Sequence, residues 1–281
     1  MDRAVVLLSG GLNSAVAAAV AREQYEVYLL HIAWGHRTGE REASAFEQLA
    51  VALRIEKVMI ADLSCMAMFG GNARVSKRLS IDDANALGKD TPTTFALGLM
   101  PSMLSVAAAW AGAIGARRII VGIGEDYDLP GPTLSHLYPD YRREFIQTFN
   151  LMLEYAKPAG RELLVEAPLI DISRPEVIKL GARLGVPWEK TWSCYRNNDL
   201  PCGRCLGCAN RANGFLKAGV PDTLLLEPQP AAEHKSAGAG ASAGRRTAEP
   251  VGAAGSAAVR TAPEPQRAAN IVIATGRSPA K

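Results

Sequence analysis

Residues 5–8, Val-Val-Leu-Leu, run directly into Ser9-Gly10-Gly11-Leu12-Asn13-Ser14, and an alanine-rich stretch follows over 15–21. A short apolar run bounded by Arg3 on one side and a glycine pair on the other predicts a strand buried on both faces. The stretch after Ser14 has high helix propensity, so the order is strand, glycine turn, helix. That order builds an anion site. The N–H groups of the turn and of the first helical turn have no intrahelical acceptor, two glycines let phosphate oxygens come close to the main chain, and Ser9 and Ser14 add hydroxyl donors. A Walker A loop would end in Gly-Lys-Ser or Gly-Lys-Thr, and this one does not. Taken alone, the glycine pair is equally compatible with an ordinary strand-to-helix turn.

The same alternation continues along the chain. Residues 26–32 form a second strand candidate, 42–53 a helix with Phe46, Leu49, Ala50 and Leu53 at helical spacing, and 57–61 a third strand. A long apolar helix is expected from Pro101 to about Gly115, then strands over 118–123 and 163–167. Strand and helix in alternation imply right-handed crossovers and an α/β fold around a doubly wound, mostly parallel sheet of five strands. Ligands of such sheets bind beyond the carboxyl ends of the strands, which gathers the loop 9–14, the segment after Ile32 and the segment after Ile123 at one mouth. Ser173-Arg174-Pro175-Glu176 reads as a capping box and a structural signal. Residues 62–92 show no clean period and read as a lid or a disordered excursion.

Charge and composition narrow the function. Of the 31 Lys/Arg and 28 Asp/Glu, seven and three lie from Pro228 onward, which leaves 24 and 25 in the first 227 residues. That balance offers no bulk basic footprint, so direct nucleic-acid binding is not expected. No uncharged apolar window long enough for a membrane span is present and the N-terminus enters a strand directly, so a cytoplasmic location without membrane contact is expected. The residues after 226 are rich in Ala, Gly, Pro, Ser and Arg and have little to bury, so 227–281 is expected to be a disordered tail.

Four of the five cysteines fall within fifteen positions, as Cys194, Cys202, Cys205 and Cys208. In a cytosolic chain this spacing argues for a metal site rather than disulfides. Four thiolates complete the tetrahedral shell of Zn²⁺ and leave no position for water, so the expected role is structural. An iron–sulfur cluster also takes four thiolates and is the lesser alternative. Cys65 stands alone and reads as a buried apolar filler.

Four stretches carry a resemblance. Leu8 and Ser9-Gly10-Gly11-Leu12-Asn13-Ser14 are similar to the S-G-G-x-D-S loop of the N-type ATP pyrophosphatases, with Asn13 where the family has Asp. Trp34-Gly35-His36-Arg37-Thr38 resembles a Y-G-Q-R-T/H run, and Tyr138-Pro139-Asp140-Tyr141-Arg142 resembles Y-P-D-C-R. Thr191-Trp192-Ser193-Cys194-Tyr195, the three later cysteines and Arg211-x-x-Gly214-Phe215 resemble the C-terminal signature of the 7-cyano-7-deazaguanine synthase (QueC) family. The likeness covers roughly residues 1–226. It departs at Leu99 and Met100, which stand where that family has Arg-Asn, and Leu and Met cannot imitate bidentate hydrogen bonding.

The resemblance implies an adenine nucleotide alpha hydrolase-like ATP-binding domain over 1–190 and a four-cysteine zinc-binding subdomain over 191–226. It implies a ligase whose substrates are 7-carboxy-7-deazaguanine, ammonium and ATP, with Mg²⁺ on the nucleotide and structural Zn²⁺, and it is compatible with a homodimer. Ser9, Ser14 and Arg37 are then the expected catalytic groups, 8–14 the nucleotide loop, and Glu125 and Asp140 the acceptors for a guanine-like edge, since carboxylates accept from ring N–H and exocyclic NH₂ groups. Asp140 has the competing reading of a cap for a helix over 141–155. Two other functions stay open: a paralogue, as in antiviral operons, that adenylates the deazaguanine acid and passes it to another amine, and a non-catalytic nucleotide-binding protein.

Overall fold

The computed structural model describes residues 1–88, 90–124 and 134–225. Five parallel strands, β1 (Arg3–Leu7), β2 (Glu26–Ala33), β3 (Val58–Asp62), β4 (Arg118–Val121) and β5 (Leu164–Glu166), form one sheet in the order β3-β2-β1-β4-β5. The chain runs outward from β1 to β2 and β3, then crosses to the other side of β1 for β4 and β5. The strand order therefore reverses between β1 and β4, whose register pairs Leu7 with Val121. A crevice opens at the carboxyl ends there because successive connections leave for opposite faces.

The pleat sends alternate residues of each strand to opposite faces. Val6, Leu29 and Ile120 enter one core with helices α1 (Leu12–Arg22), α2 (Gly39–Ala52), α7 (Arg174–Arg183) and α8 (Leu206–Ala218). Val5, Leu30, Ile119 and Val121 enter the other, against α4 (Leu99–Ile114) and α6 (Arg143–Ala156). Two short helices, α3 (Cys65–Met68) and α5 (Leu134–Leu137), complete the set of α-helices among the described residues. The doubly wound α/β sheet read from the sequence is the observed one.

Local chemistry explains where the key elements begin. Gly122, just after β4, lets the first turn of α1 lie against the sheet end, since a Cβ there would stand 2.6 Å from the Asn13 carbonyl and from Ser14. The capping box of α7 forms, with the Ser173 N–H donating to Glu176 Oε2 at 2.8 Å. Helix α6 starts at Arg143 with Arg142 at its cap, so Asp140 does not cap it; it sits in a short 3-10 turn over Pro139–Tyr141.

Two expectations are corrected. The segment 62–92 is no loose excursion in its described part: the Ala84 N–H donates to the Arg204 carbonyl at 2.8 Å, Asp83 bridges to Cys205, and Arg196 pairs with Asp83 at 2.5 Å. Cys65 is exposed rather than buried, because it opens a one-turn helix whose residues contribute no buried side chain. Glu125 and the tail 227–281 lie outside the described residues.

Candidate active site and metal centre

Loop 9–14 leaves β1 and enters α1 with Gly11 at the helix cap and no side chain bonded there. Its hydroxyls hold each other. Ser14 Oγ donates to the Gly11 carbonyl at 3.0 Å and lies 3.1 Å from Ser9 Oγ, which accepts from the Gly11 N–H at 3.2 Å. The loop is thus shaped before any ligand arrives, with the first N–H groups of α1 left for an anion. Gly10 and Gly11 do different work. Gly10 has φ +85° and a Cβ there would meet the Glu42 carbonyl at 2.5 Å, so it serves the packing of α2, while its own carbonyl accepts from Trp192 N–H at 2.9 Å. Gly11 faces the cavity.

Residue 13 points at a cation. Arg174 Nη1, at the start of α7, donates to Asn13 Oδ1 at 2.5 Å. Where Mg²⁺ would seek a carboxylate, the chain presents an amide oxygen already taken by a guanidinium. Residue 13 does not fit a metal ligand.

Leu8, Ser9, Gly11, Leu12, Asn13 and Ser14 line a cavity of about 260 Å³ together with Gly122, Arg174, Ser193, Asn210 and, on another wall, Trp34, Phe95, Tyr138, Asp140, Tyr141 and Tyr195. Leu99, Met100 and Met103 form its apolar side. Of the three segments expected at one mouth, loop 9–14 and Trp34 after Ile32 meet there, and Ile123 at the end of the third reaches it, while residues 125–133 lie outside the described residues. Arg37 does not line it: its guanidinium donates to the carbonyls of Ser76 at 2.8 Å and Leu79 at 3.4 Å and so braces that segment.

Asp140 is the acidic group whose charge the cavity leaves open. Its Oδ1 is buried and unbonded, and burial pushes the carboxyl up to about 6, against the pull of a hydrogen bond from its own backbone. Sequence reasoning missed a second acid. Burial would raise the Glu42 carboxyl, but Arg74 at 2.6 Å, His36 at 3.0 Å and the Thr38 hydroxyl at 2.9 Å outweigh it and hold it at about 2. Burial in turn keeps the His36 imidazole below its ordinary value. A Glu followed by a distant Arg in an aperiodic segment leaves no local signal to find.

On the far side of Trp192, the sulfurs of Cys194, Cys202, Cys205 and Cys208 all lie within 4.8 Å of one another. A tetrahedral zinc–thiolate shell with about 2.3 Å bonds separates its sulfurs by roughly 3.8 Å, and Cys202 and Cys208 stand 3.9 Å apart. The backbone prepares the sulfurs for negative charge. Cys194 Sγ accepts N–H bonds from Arg196, Asn197 and Cys202, Cys202 Sγ from Cys205, and Cys205 Sγ from Tyr195, each at 3.4 Å. Four such sulfurs fit one thiophilic cation.

Helix α8 carries the last of these cysteines and ties the centre to the cavity. Arg211 makes a buried bidentate pair with Asp222 at 2.6 and 2.7 Å and donates to Thr191 Oγ1 at 2.8 Å and the Trp188 carbonyl at 2.9 Å.

Known proteins give the arrangement its context. Residues 3–219 match the family model described as queuosine biosynthesis protein QueC. A 7-cyano-7-deazaguanine synthase of Chloroherpeton thalassium is 35% identical over 229 residues, 81% of this chain and 98% of that protein. One from Methanothrix thermoacetophila is 36% identical over 230 residues, covering 79% and 97%. The solved NMN synthetase of Francisella tularensis is similar at 16% identity and a TM-score of 0.41 over 78% of each chain, a likeness that bears on neither fold nor function. On a match that spans the sheet, the loop and the cysteine segment alike, the chain belongs to the QueC family.

Proposed function

We propose that this chain is a ligase that converts 7-carboxy-7-deazaguanine and ammonium to 7-cyano-7-deazaguanine at the expense of ATP. The observation that carries the reading is that the anion-binding loop and the Asp140 carboxyl, with its unbonded oxygen, open into one cavity. Loop N–H groups of residues 12–14, the hydroxyls of Ser9 and Ser14, and Arg174 hold the triphosphate. Asp140, with Glu125 as a further candidate, accepts from the N–H edge of the base, and the aromatic wall packs against its plane.

A carboxylate oxygen is a poor leaving group, which sets the order of events. The substrate carboxylate attacks the α-phosphorus, pyrophosphate leaves, and the donors of the loop stabilise the charge that develops on it. Ammonia attacks the acyl carbon and AMP departs, leaving the amide. The amide oxygen then attacks the α-phosphorus of a second ATP, pyrophosphate leaves, and loss of AMP and of both amide N–H protons yields the nitrile. Cys194, Cys202, Cys205 and Cys208 would hold Zn²⁺, which would fix the segment over 191–226 that carries Ser193, Tyr195 and Asn210 into the cavity.

Family membership favours this reading over transfer to another amine and over a non-catalytic binder. Mass spectrometry of products after incubation with ATP, Mg²⁺, ammonium and 7-carboxy-7-deazaguanine tests it. A nitrile product with AMP is the expected result; accumulation of an amide conjugate, or no AMP at all, would sink it.

A further inference from the structure

Arg74 is a charge in the cavity that has no task in the proposed reaction. It lies in the 62–92 segment and lines the cavity wall. Its Nη2 donates to Glu42 Oε1 at 2.6 Å, and its guanidinium carbon lies 5.1 Å from the centre of the Trp34 ring and 4.9 Å from that of Tyr195. Its Nε is buried and has no hydrogen-bond partner among the described residues. A guanidinium carries five N–H donors in a fixed fork, and a buried donor with no acceptor costs free energy. The protein therefore holds this fork between two rings and leaves part of it for an acceptor that arrives from outside.

The rest of the cavity narrows what that acceptor is. Leu99, Met100 and Met103 bring no donors to their wall. The other two guanidiniums are engaged elsewhere, Arg211 with Asp222 and Arg174 beside the phosphate loop at Asn13. Trp34 is 3% exposed, so the clamp is built into the core and not recruited by the ligand. A fork held in advance pays little ordering cost when it binds, and its geometry matches a carboxylate better than any single lone pair.

Resting on the proposed function, we propose that Arg74 is a specificity-determining residue that receives the carboxylate of the flat heterocyclic acid in this cavity, anchored by Glu42 and aligned by Trp34 and Tyr195. It selects the acid over neutral analogues and presents the oxygen that is to be adenylated. The amide formed midway through the reaction is held less tightly at this point, since it offers one neutral acceptor in place of two charged ones.

Calorimetric titration of the full chain with 7-carboxy-7-deazaguanine and with its carboxamide tests the assignment. Arg74→Gln should weaken acid binding by about tenfold to hundredfold while the carboxamide changes by less than about threefold, and Arg74→Lys, which keeps charge without the fork, should fall between. Because Arg74→Gln strands the Glu42 carboxylate, the double variant Glu42→Gln/Arg74→Gln is titrated beside it, with a melting curve to show that it folds. The same acid-selective loss in the folded double variant supports the assignment. Equal losses for acid and amide, or no loss, overturn it and leave the proposed function standing. Failure of the wild-type chain to bind the acid overturns both.

Discussion

Arg174 donates to Asn13 Oδ1 at 2.5 Å while its stem lies on Gly214 of α8, where a Cβ would come within 2.5 Å of Arg174 Cγ. One side chain thus couples the nucleotide loop, the capping turn of α7 and the helix that leaves the cysteine cluster. An amide at residue 13 fixes the guanidinium without cancelling its charge. The guanidinium is thereby placed beside the first turn of α1, where helix N–H groups already favour anions.

The consequence can be measured on the nucleotide alone. Asn13→Asp should convert the contact into an ion pair that competes with phosphate for Arg174, weakening ATP binding without divalent metal by about tenfold, or roughly 1.4 kcal/mol. Gly214→Ala should act in the same direction by displacing the Arg174 stem. Titrations of both variants with ATP in buffer without added divalent metal, which leaves the cysteine centre undisturbed, decide the matter. Unchanged affinity in Asn13→Asp would mean that Arg174 does not face the phosphates.

Asp140 supplies a pH dependence with opposite signs for binding and for stability. Its carboxyl titrates at about 6 in the folded chain, above the ordinary value of 3.8, because burial disfavours the charged form. A raised carboxyl means that the folded state holds a proton the unfolded state has lost between these two values, so this group's contribution to stability is present below about 4 and lost as pH rises through about 6. Recognition of an N–H edge needs the ionised form, so substrate affinity should rise over the same interval. Dissociation constants measured from about pH 5 to 8, a range that brackets the shifted carboxyl, should show that step in the wild type and not in Asp140→Asn. A step that survives in the variant would assign the titration to another group.

The Arg211–Asp222 pair holds α8 by its two buried ends, with side chains 5% and 7% exposed. Removing one member of such a pair leaves the other charged and without its partner, which costs about 3–5 kcal/mol. Arg211→Met should therefore lower the urea midpoint substantially, and Arg211→Met/Asp222→Leu should recover part of it. If the double variant is no more stable than the single one, the loss comes from the Thr191 and Trp188 contacts instead.

How much of this was legible in the sequence follows from the range of each interaction. The strand, glycine turn and helix at residues 5–21 were readable because both strand burial and helix propensity are local, and the sheet followed from alternation. The four cysteines were readable because metal ligation imposes spacing. Arg74, Glu42 and Asn210 were not. Each acquires meaning from residues distant in the chain, and Arg74 lies in a segment without period. Arg174 was legible only as part of a capping box, since nothing in its neighbours points to Asn13, 161 positions earlier. Cys65 shows the converse error, a residue type that is usually buried placed on an exposed one-turn helix.

The cysteine centre gives the last test. Five backbone N–H bonds to three sulfurs are arranged around one point, where four thiolates would otherwise repel one another. Without a cation the sulfurs compete: hydrogen bonds from Cys205 and Cys208 pull the Cys194 thiol down, and the bond to Cys194 pushes Cys205 up to about 11. A bound Zn²⁺ would remove that competition, and in small zinc-dependent modules such binding contributes on the order of 10 kcal/mol to folding. Cys202→Ser should accordingly lower the zinc content found by elemental analysis and reduce the soluble fraction, while chelation of the wild-type protein should loosen 191–225 and weaken binding of 7-carboxy-7-deazaguanine, because Tyr195 and Asn210 reach the cavity from that segment. Soluble Cys202→Ser protein with undiminished zinc would show that the metal is held elsewhere.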